Sequence, residues 1–301
     1  MLRRLAVQIR TVVGVAPCLK LSVYRYTYTN PATLYVNRPG GTHNAKPSAT
    51  ARIPYNAREN SPENIQMNPK TAPIAIIGAM EQEIALLQSR ISQAQHEQVA
   101  HIGITRGTLA GKAVLLAQSG IGKVNAAITT AVLLEKYRAA CVINTGSAGG
   151  LQSGMKQGDV VVGIQTAHHD ADATAFDYVI GQLPQMPARY EADATLVEHA
   201  ARAAVAFDGA AVHRGLIVSG DQFINHADKI ARIREHFPDA LAVEMEAAAI
   251  AQTCYQFARP YVIIRALSDL ADGEAEYSFE TFLQIAAKHS AEMVENLVKA
   301  L

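Results

Sequence analysis

From Pro73 onward, short apolar runs alternate with amphipathic stretches, the rhythm of a sheet whose strands lie between covering helices. The runs predict strands at Ile74–Gly78, Ile102–Leu109, Lys112–Gln118, Cys141–Thr145, Val160–Ile164, Gly215–Ser219, Ala240–Glu244 and Val262–Leu267. Helices fill many of the gaps. Over Gly122–Tyr137, the residues Val124, Ala127, Ile128, Ala131 and Val132 keep the i, i+3, i+4, i+7, i+8 spacing of a buried stripe, which predicts that this face packs on the sheet. At the C-terminus Ser278 reads as an N-cap, followed at helical spacing by Phe279, Phe282, Leu283, Ala286, Met293, Val294 and Leu297. No repeat is apparent and no Pro/Gly-rich linker divides 73–301, so residues 71–301 read as a single α/β domain.

Residues 1–70 break this rhythm. They show no sustained helical or strand period, are rich in Arg, Pro, Asn, Ser and Thr, and hold ten Lys/Arg against only Glu59 and Glu63. Three readings compete: an organelle transit peptide, suggested by MLRRLAVQIRTVVGVA; a disordered tail; and a start-site artefact with translation beginning at Met67. The third is preferred. The remaining 231 residues carry 17 basic against 25 acidic groups, a poor match for a nucleic-acid backbone.

Composition narrows the class further. The chain is 49% hydrophobic and 18% charged with a mean hydropathy of +0.05, as in compact soluble proteins, and no apolar run reaches the roughly 18 residues of a membrane span. Cys18, Cys141 and Cys254 are odd in number and widely spaced, giving neither a disulfide framework nor a zinc set. A reducing cytosol fits best.

Ligands of open α/β sheets bind where strands end, so polar residues at strand exits carry the candidate chemistry. The exits are Gly78-Ala79-Met80-Glu81-Gln82-Glu83, Thr145-Gly146-Ser147-Ala148-Gly149-Gly150, Val243-Glu244-Met245-Glu246 and Arg265-Ala266-Leu267-Ser268-Asp269. Glu81 and Glu83 open a predicted helix, where carboxylates are favoured on electrostatic grounds alone. Glu244 and Glu246, one residue apart, share a side of extended backbone at a buried junction, which is costly unless they bind something. Asp269 follows a strand too apolar to carry a carboxylate casually, although a capping role is open to it and to Asp272. Thr145–Gly150 supplies flexible backbone and N–H groups for close approach to a ligand.

Other motifs point away from common chemistries. Gly120-Ile121-Gly122 lacks the third glycine of a dinucleotide fingerprint, and no P-loop lysine follows the glycine-rich exit. His168-His169-Asp170-Ala171-Asp172 has none of the usual zinc spacings and reads as a loop. No G-x-S-x-G elbow and no Cys–His pairing is evident.

Taken in order, IIGAMEQE, SGIGKVNAA, INTGSAGGL, HHDADATAF, GQLP, SGDQFI, AVEMEAAAIA and RALSDLAD resemble the 5′-methylthioadenosine/S-adenosylhomocysteine nucleosidases of the nucleoside phosphorylase superfamily. The resemblance covers essentially all of 73–301. It implies a three-layer αβα sandwich with a mixed, twisted sheet, a homodimer, no cofactor and no metal. The implied reaction is hydrolysis of the N-glycosidic bond of the two adenine nucleosides, as in methionine salvage. By resemblance Glu83 is the base that activates water, Asp269 the acid that protonates N7 of adenine, and Glu246 the carboxylate on the ribose hydroxyls. Met245 lies against the sugar with Glu244 nearby. Phe223 stacks on adenine, the Ile224 backbone reads its edge, and Ser268 orients Asp269. Ala79, Met80, Ile121, Ser147, Ala148, Gly149, Ala271 and Phe279 surround the nucleoside, and Arg265 orients Glu244 or Glu246. Phe176 and Pro184 match positions that reach into the neighbouring subunit's site around the 5′-alkylthio group.

The implied roles agree with the chemistry. Adenine leaves poorly as an anion and ribose departs with oxocarbenium character, so protonating the base and placing a carboxylate near the sugar both lower the barrier. A buried Asp269 can hold a proton near neutrality. The rivals are a phosphate-dependent phosphorylase of the same superfamily, a futalosine-type nucleosidase and a non-catalytic binder. Ala79–Glu83 stands where phosphorylases place Gly-Asp-Pro and Arg, and a carboxylate there repels phosphate.

Overall fold

The computed structural model describes the backbone of residues 25–28, 34–37, 72–204, 211–269 and 275–301, and the side chains of 72–204, 211–269 and 288–301. The chain divides into two units, Met1–Glu63 and Asn64–Leu301. In the first, β1 (Arg25–Tyr28) and β2 (Leu34–Asn37) pair antiparallel. The sequence pattern predicts no strand there, because four-residue segments are too short for alternation to register.

Among the described residues the second unit is built on ten strands: β3 (Ile74–Gly78), β4 (Ser92–Val99), β5 (Ile102–Leu109), β6 (Lys112–Gln118), β7 (Cys141–Gly150), β8 (Val160–His168), β9 (Tyr190–Glu191), β10 (Val212–Ser219), β11 (Ala240–Glu244) and β12 (Tyr261–Asp269). Their order is β11-β10-β8-β12-β7-β3-β6-β5-β4, with β9 paired to β8. The sheet is mixed. Strand β3 runs parallel to β6 and β7, β12 runs parallel to β7 but antiparallel to β8, and β4, β5 and β6 form an antiparallel meander. The far end of β7 also pairs antiparallel with β11, Gly150 against Ala242 and Gly149 against Val243. Strands β7, β12, β8, β10 and β11 therefore close on one another.

Among the described residues six helices cover the sheet: α1 (Glu81–Arg90), α2 (Lys123–Glu135), α3 (Ala194–Ala204), α4 (Ala227–His236), α5 (Ala247–Gln256) and α6 (Ala275–Ala300). The alternation of β3 shows why there are two helical layers. Ile74 and Ile76 join Ile84 and Leu87 of α1, Val197 of α3 and Val294 of α6, whereas Ala75 and Ile77 join Leu133 of α2 and Ile250 of α5. A smaller cluster seats Ile230, Ile233 and Phe237 against β10 and β11. Each large aliphatic side chain buried this way contributes about 1.5–3 kcal/mol. The result is a three-layer αβα sandwich on a mixed sheet.

All eight anticipated strands are present, several of them longer than their apolar runs. Thr145–Gly150 is not flexible loop but the continuation of β7, and at the end of β12 the ladder to β7 skips Ser268 and closes with Asp269 against Gly149. Strand β4 escaped the pattern because it is an edge strand of polar residues, SQAQHEQV, whose first seven side chains are exposed. Such an edge discourages pairing with other chains. The stripe assigned to α2 is on the wrong side: Val124 and Ile128 are 68% and 43% exposed, while Ala126, Thr129, Thr130, Leu133 and Leu134 are buried. This helix is apolar nearly all round, so spacing alone could not choose its inner face. Helix α6 starts at Ala275, which makes Ser278 a first-turn residue and not a cap; Ala275 and Glu276 are good helix formers that carry the helix upstream. Met293, Val294 and Leu297 are buried as anticipated, and the side chains of Phe279, Phe282, Leu283 and Ala286 lie outside the described residues. Among the described residues no helix is long and apolar enough to cross a membrane.

Candidate active site

The C-terminal ends of β3, β7, β11 and β12 meet the N-termini of α1 and α5 around a cavity of about 330 Å³. Glu83 is the third residue of α1, a position from which a carboxylate can turn back onto the free amides that start a helix. Its Oε2 accepts hydrogen bonds from the amides of Ala79 (2.8 Å) and Met80 (3.1 Å). Its Oε1 crosses to β7 and accepts from the Ser147 amide (3.0 Å) and Ser147 Oγ (3.1 Å). Four donors thus fix the buried carboxylate. They can reach it because residue 146 is glycine: a Cβ there would press on the Arg265 guanidinium and stand 2.7 Å from Glu83 Oε1.

A second group of charges lies behind the cavity. Arg265, on β12 and 1% exposed, pairs with Glu244 through Nη2, donates to Asn144 Oδ1 at 2.6 Å and stands 3.7 Å from Glu246 Oε2. Glu244 closes β11 and also accepts from Ser219 Oγ and from the amides of Glu246 (3.0 Å) and Ala247 (2.9 Å). Glu246 has left the strand to become the N-cap residue of α5, so the two acids do not share extended backbone as anticipated. They converge because both turn toward Arg265. Glu246 Oε1 accepts from the Gly122 amide at 2.8 Å. Burial and then repulsion from Glu244 push the Glu246 carboxyl up to about 8, against the opposing pull of Arg265 and the Gly122 amide. Burial works against the charge on Arg265, but Glu244, Glu246 and Glu83 outweigh it and raise its pKa.

Asp269 ends β12 with 3% of its surface exposed and takes a 2.8 Å hydrogen bond from Ser268 Oγ on Oδ2. Ser268 in turn stands 3.4 Å from the Ala148 carbonyl. Four carboxylates, Glu83, Glu244, Glu246 and Asp269, therefore line one cavity together with the exposed ring of Phe223 and the backbone of Ile224. A larger groove of about 670 Å³ lies over β5 and β6, next to Arg106, Lys136 and Tyr137. Among the described residues no carboxylate lines it, whereas four line the smaller cavity.

With that geometry in place, comparison with known proteins decides the family. Residues 73–299 match the phosphorylase superfamily. A 5′-methylthioadenosine/S-adenosylhomocysteine nucleosidase from Geobacillus sp. (strain WCH70) is 52% identical over 228 residues, which span 76% of this chain and 98% of the relative. The chain belongs to this nucleosidase family. The crystal structure of the family member from Neisseria meningitidis, in complex with methylthio-immucillin-A, is 56% identical, with a TM-score of 0.75 over 76% of this chain and 100% of that one. A futalosine hydrolase from Helicobacter pylori is 32% identical, with a TM-score of 0.73 over 77% of this chain and 99% of that one.

Most of the residues singled out by the nucleosidase motifs line the cavity: Ala79, Met80, Glu83, Ile121, Ser147, Ala148, Gly149, Phe223, Ile224, Glu244, Met245, Glu246, Ser268 and Asp269. Arg265 does not reach it and stands behind Glu244. Phe176, in a 3-10 turn at Thr174–Phe176, is 66% exposed, and Pro184 is exposed as well; neither lines the cavity of its own chain. Ala271 and the side chain of Phe279 lie outside the described residues. Gln222 and Val243 line the cavity and were not singled out. Gln222 adjoins Phe223 in SGDQFI and could have been included on that ground, whereas Val243 reads as core in an apolar strand. Among the described residues no group of three or more His, Cys, Asp or Glu is placed to hold a metal ion.

Proposed function

We propose that this chain hydrolyses the N-glycosidic bond of 5′-methylthioadenosine and S-adenosylhomocysteine, giving adenine with 5-methylthioribose or S-ribosylhomocysteine. The observation that carries the reading is the set of four carboxylates, Glu83, Glu244, Glu246 and Asp269, around one cavity whose described lining contains no Lys or Arg. An inorganic phosphate needs converging cations, and the nearest guanidinium is already committed to Glu244 and Asn144. Water needs a base instead, and Glu83 is held rigidly at the cavity wall for that task. Asp269, aligned by Ser268, donates a proton to N7 of adenine as the C–N bond breaks. Glu246 holds the ribose hydroxyls, and positive charge developing on the sugar favours ionisation of its carboxyl, which burial and Glu244 otherwise push up to about 8. Phe223 stacks on the base beside the Ile224 backbone. The reaction draws on side chains alone and asks for no cofactor.

The active form is a homodimer. Val124 and Ile128, one turn apart on the outer side of α2, and Phe176 and Val179 are exposed large apolar residues of the kind that subunit contacts cover. Phase and exposure together fit a partner helix on α2 and a Phe176–Pro184 segment serving the other subunit's cavity. Residues 71–301 make up the catalytic domain, with residues 1–70 outside it. The free, buried thiols of Cys141 and Cys254 suit a reducing cytosol, the compartment of methionine salvage.

The test is release of the free base, adenine from 5′-methylthioadenosine and S-adenosylhomocysteine and hypoxanthine from futalosine, each with and without phosphate, for the wild-type protein, Glu83→Gln and Asp269→Asn. The expected result is phosphate-independent release from the two adenine nucleosides, lowered about 10²–10⁴-fold by either substitution. Release only with phosphate would make the protein a phosphorylase, and turnover of futalosine alone would move it to the hydrolase branch represented by the Helicobacter pylori structure.

A further inference from the structure

The segments Gly120–Lys123 and His168–Asp172 stand out in the sequence, yet the reaction leaves Lys123 and Asp170 without a part. In the structure they meet. Lys123 Nζ donates to Asp170 Oδ1 at 2.6 Å, with 21% and 15% of the two side chains exposed. The other oxygen of Asp170 accepts the Asp221 amide at 2.9 Å, and Asp221 Oδ1 accepts the Lys123 amide at 2.8 Å. Three bonds thus make a closed ring joining the segments that follow β6, β8 and β10. Burial works against the charge on Asp170, but Lys123 and the Asp221 amide outweigh it and lower its pKa.

The ring lies beside the cavity without lining it. On one side of it, Gly122 precedes Lys123 and directs its amide onto Glu246 Oε1 at 2.8 Å. Gly122 does this at φ +99°, a conformation that side chains other than glycine's rarely tolerate, and a Cβ there would stand 3.1 Å from Asp221 Oδ1. On the other side, Asp221 leads directly into the cavity residues Gln222, Phe223 and Ile224. A Cβ on Gly220 would stand 3.0 Å from Asp170 Cγ. The ring is therefore packed to backbone contact, and a change in its length or charge must displace one wall of the cavity.

We infer that Lys123 and Asp170 are positioning residues for Glu246, their ion pair fixing the turn that aims the Gly122 amide at the carboxylate that holds ribose. The inference rests on the nucleosidase reading and adds a pair that never touches substrate. A misdirected amide frees Glu246 to swing from the ribose hydroxyls, and displacements on the scale of 1 Å are enough to cost a large factor in rate.

The experiment measures kcat and KM for 5′-methylthioadenosine in Lys123→Met, Asp170→Asn, Lys123→Arg, Glu246→Gln and the double variant of Lys123→Met with Glu246→Gln, alongside thermal melting. Either single loss of the pair should lower kcat/KM roughly 10- to 100-fold. Lys123→Arg should recover most of it. In the Glu246→Gln background, Lys123→Met should change kcat/KM by no more than about twofold, because the carboxylate that it positions is already gone. Additive losses in the double variant, or single variants with wild-type kinetics, would overturn the inference while leaving the nucleosidase reading intact. A wild-type protein that releases no adenine would sink that reading, and this one with it. If Lys123→Met melts early, Asp170→Asn, alone and combined with Glu246→Gln, decides the same question.

Discussion

Replacing Arg265 by Met removes the guanidinium from among Glu244, Glu246 and Glu83 while keeping most of the side-chain stem. The pair with Glu244 is almost fully buried, at 1% and 4% side-chain exposure, so solvent cannot take over the lost partner. Breaking such a pair by deleting one member costs about 3–5 kcal/mol, and Asn144 Oδ1 also loses its donor. For a domain of this size each kcal/mol moves the midpoint by about 2–4 °C, so Tm should fall by roughly 6–20 °C. The loss should depend on pH in a definite direction. Burial and Glu244 hold the folded Glu246 carboxyl at about 8, above its ordinary 4.5, so its contribution to stability is complete below about 4.5 and disappears as pH rises through 8. Arg265 opposes that upward shift, and deleting it enlarges the penalty for ionising the cluster. Melting of wild type and Arg265→Met between about pH 5 and pH 9 should show curves that diverge with rising pH. Adding Glu244→Gln to Arg265→Met should recover part of the loss, since it removes an unpaired charge. A loss that is the same at every pH, or one below about 1 kcal/mol, would refute the claim that this cation neutralises the buried acids.

Two further outcomes follow from the same geometry. Glu246→Gln keeps an acceptor for the Gly122 amide but removes the carboxyl whose ionisation burial opposes, so its Tm relative to wild type should improve steadily from about pH 5 to pH 9 in calorimetry, while kcat/KM collapses. Ile128→Asp places a charge on the exposed side of α2, so sedimentation should show monomers with an unaltered fold, and activity should fall with dissociation if Phe176 serves the neighbouring cavity; a variant that stays dimeric would remove α2 from the interface.

The strands were legible from their apolar runs, and Glu246 and Asp269 because each follows such a run, where burial makes a charge conspicuous. Glu83, at a helix start where a carboxylate is ordinary, was singled out by the resemblance alone, and the structure gathers all three into one cavity. What could not be read depends on relations between distant segments. Nothing in Gly122–Tyr137 tells which of two apolar sides of α2 meets the sheet, because that choice belongs to Ala75, Ile77 and α5. Strand β4 has mostly polar side chains and is a strand because β5 offers it a ladder. The role of Gly146 as the gap through which Glu83 meets Ser147 appears only when α1 and β7 lie side by side. Asp170 and Lys123, 47 positions apart, are bonded through a ring that local spacing cannot disclose.

The pairing of Gly149 and Gly150 with β11 sets how this cavity opens. An enzyme with its binding groups on surface loops can loosen them one at a time, and hydrogen exchange there is fast. Here the amide that fixes Glu83 belongs to β7, which is bonded to β12 along its length and to β11 at its tip. Glu244 and Asp269 end those same two neighbouring strands. Local fluctuation of this wall requires opening several ladders together, so its amides should exchange on the timescale of the sheet's slowest-opening core. A ligand held against it must then leave past the more exposed residues at the rim, Ile121 and Phe223, which places the exit step in the flanking segments and leaves the acids undisturbed between turnovers.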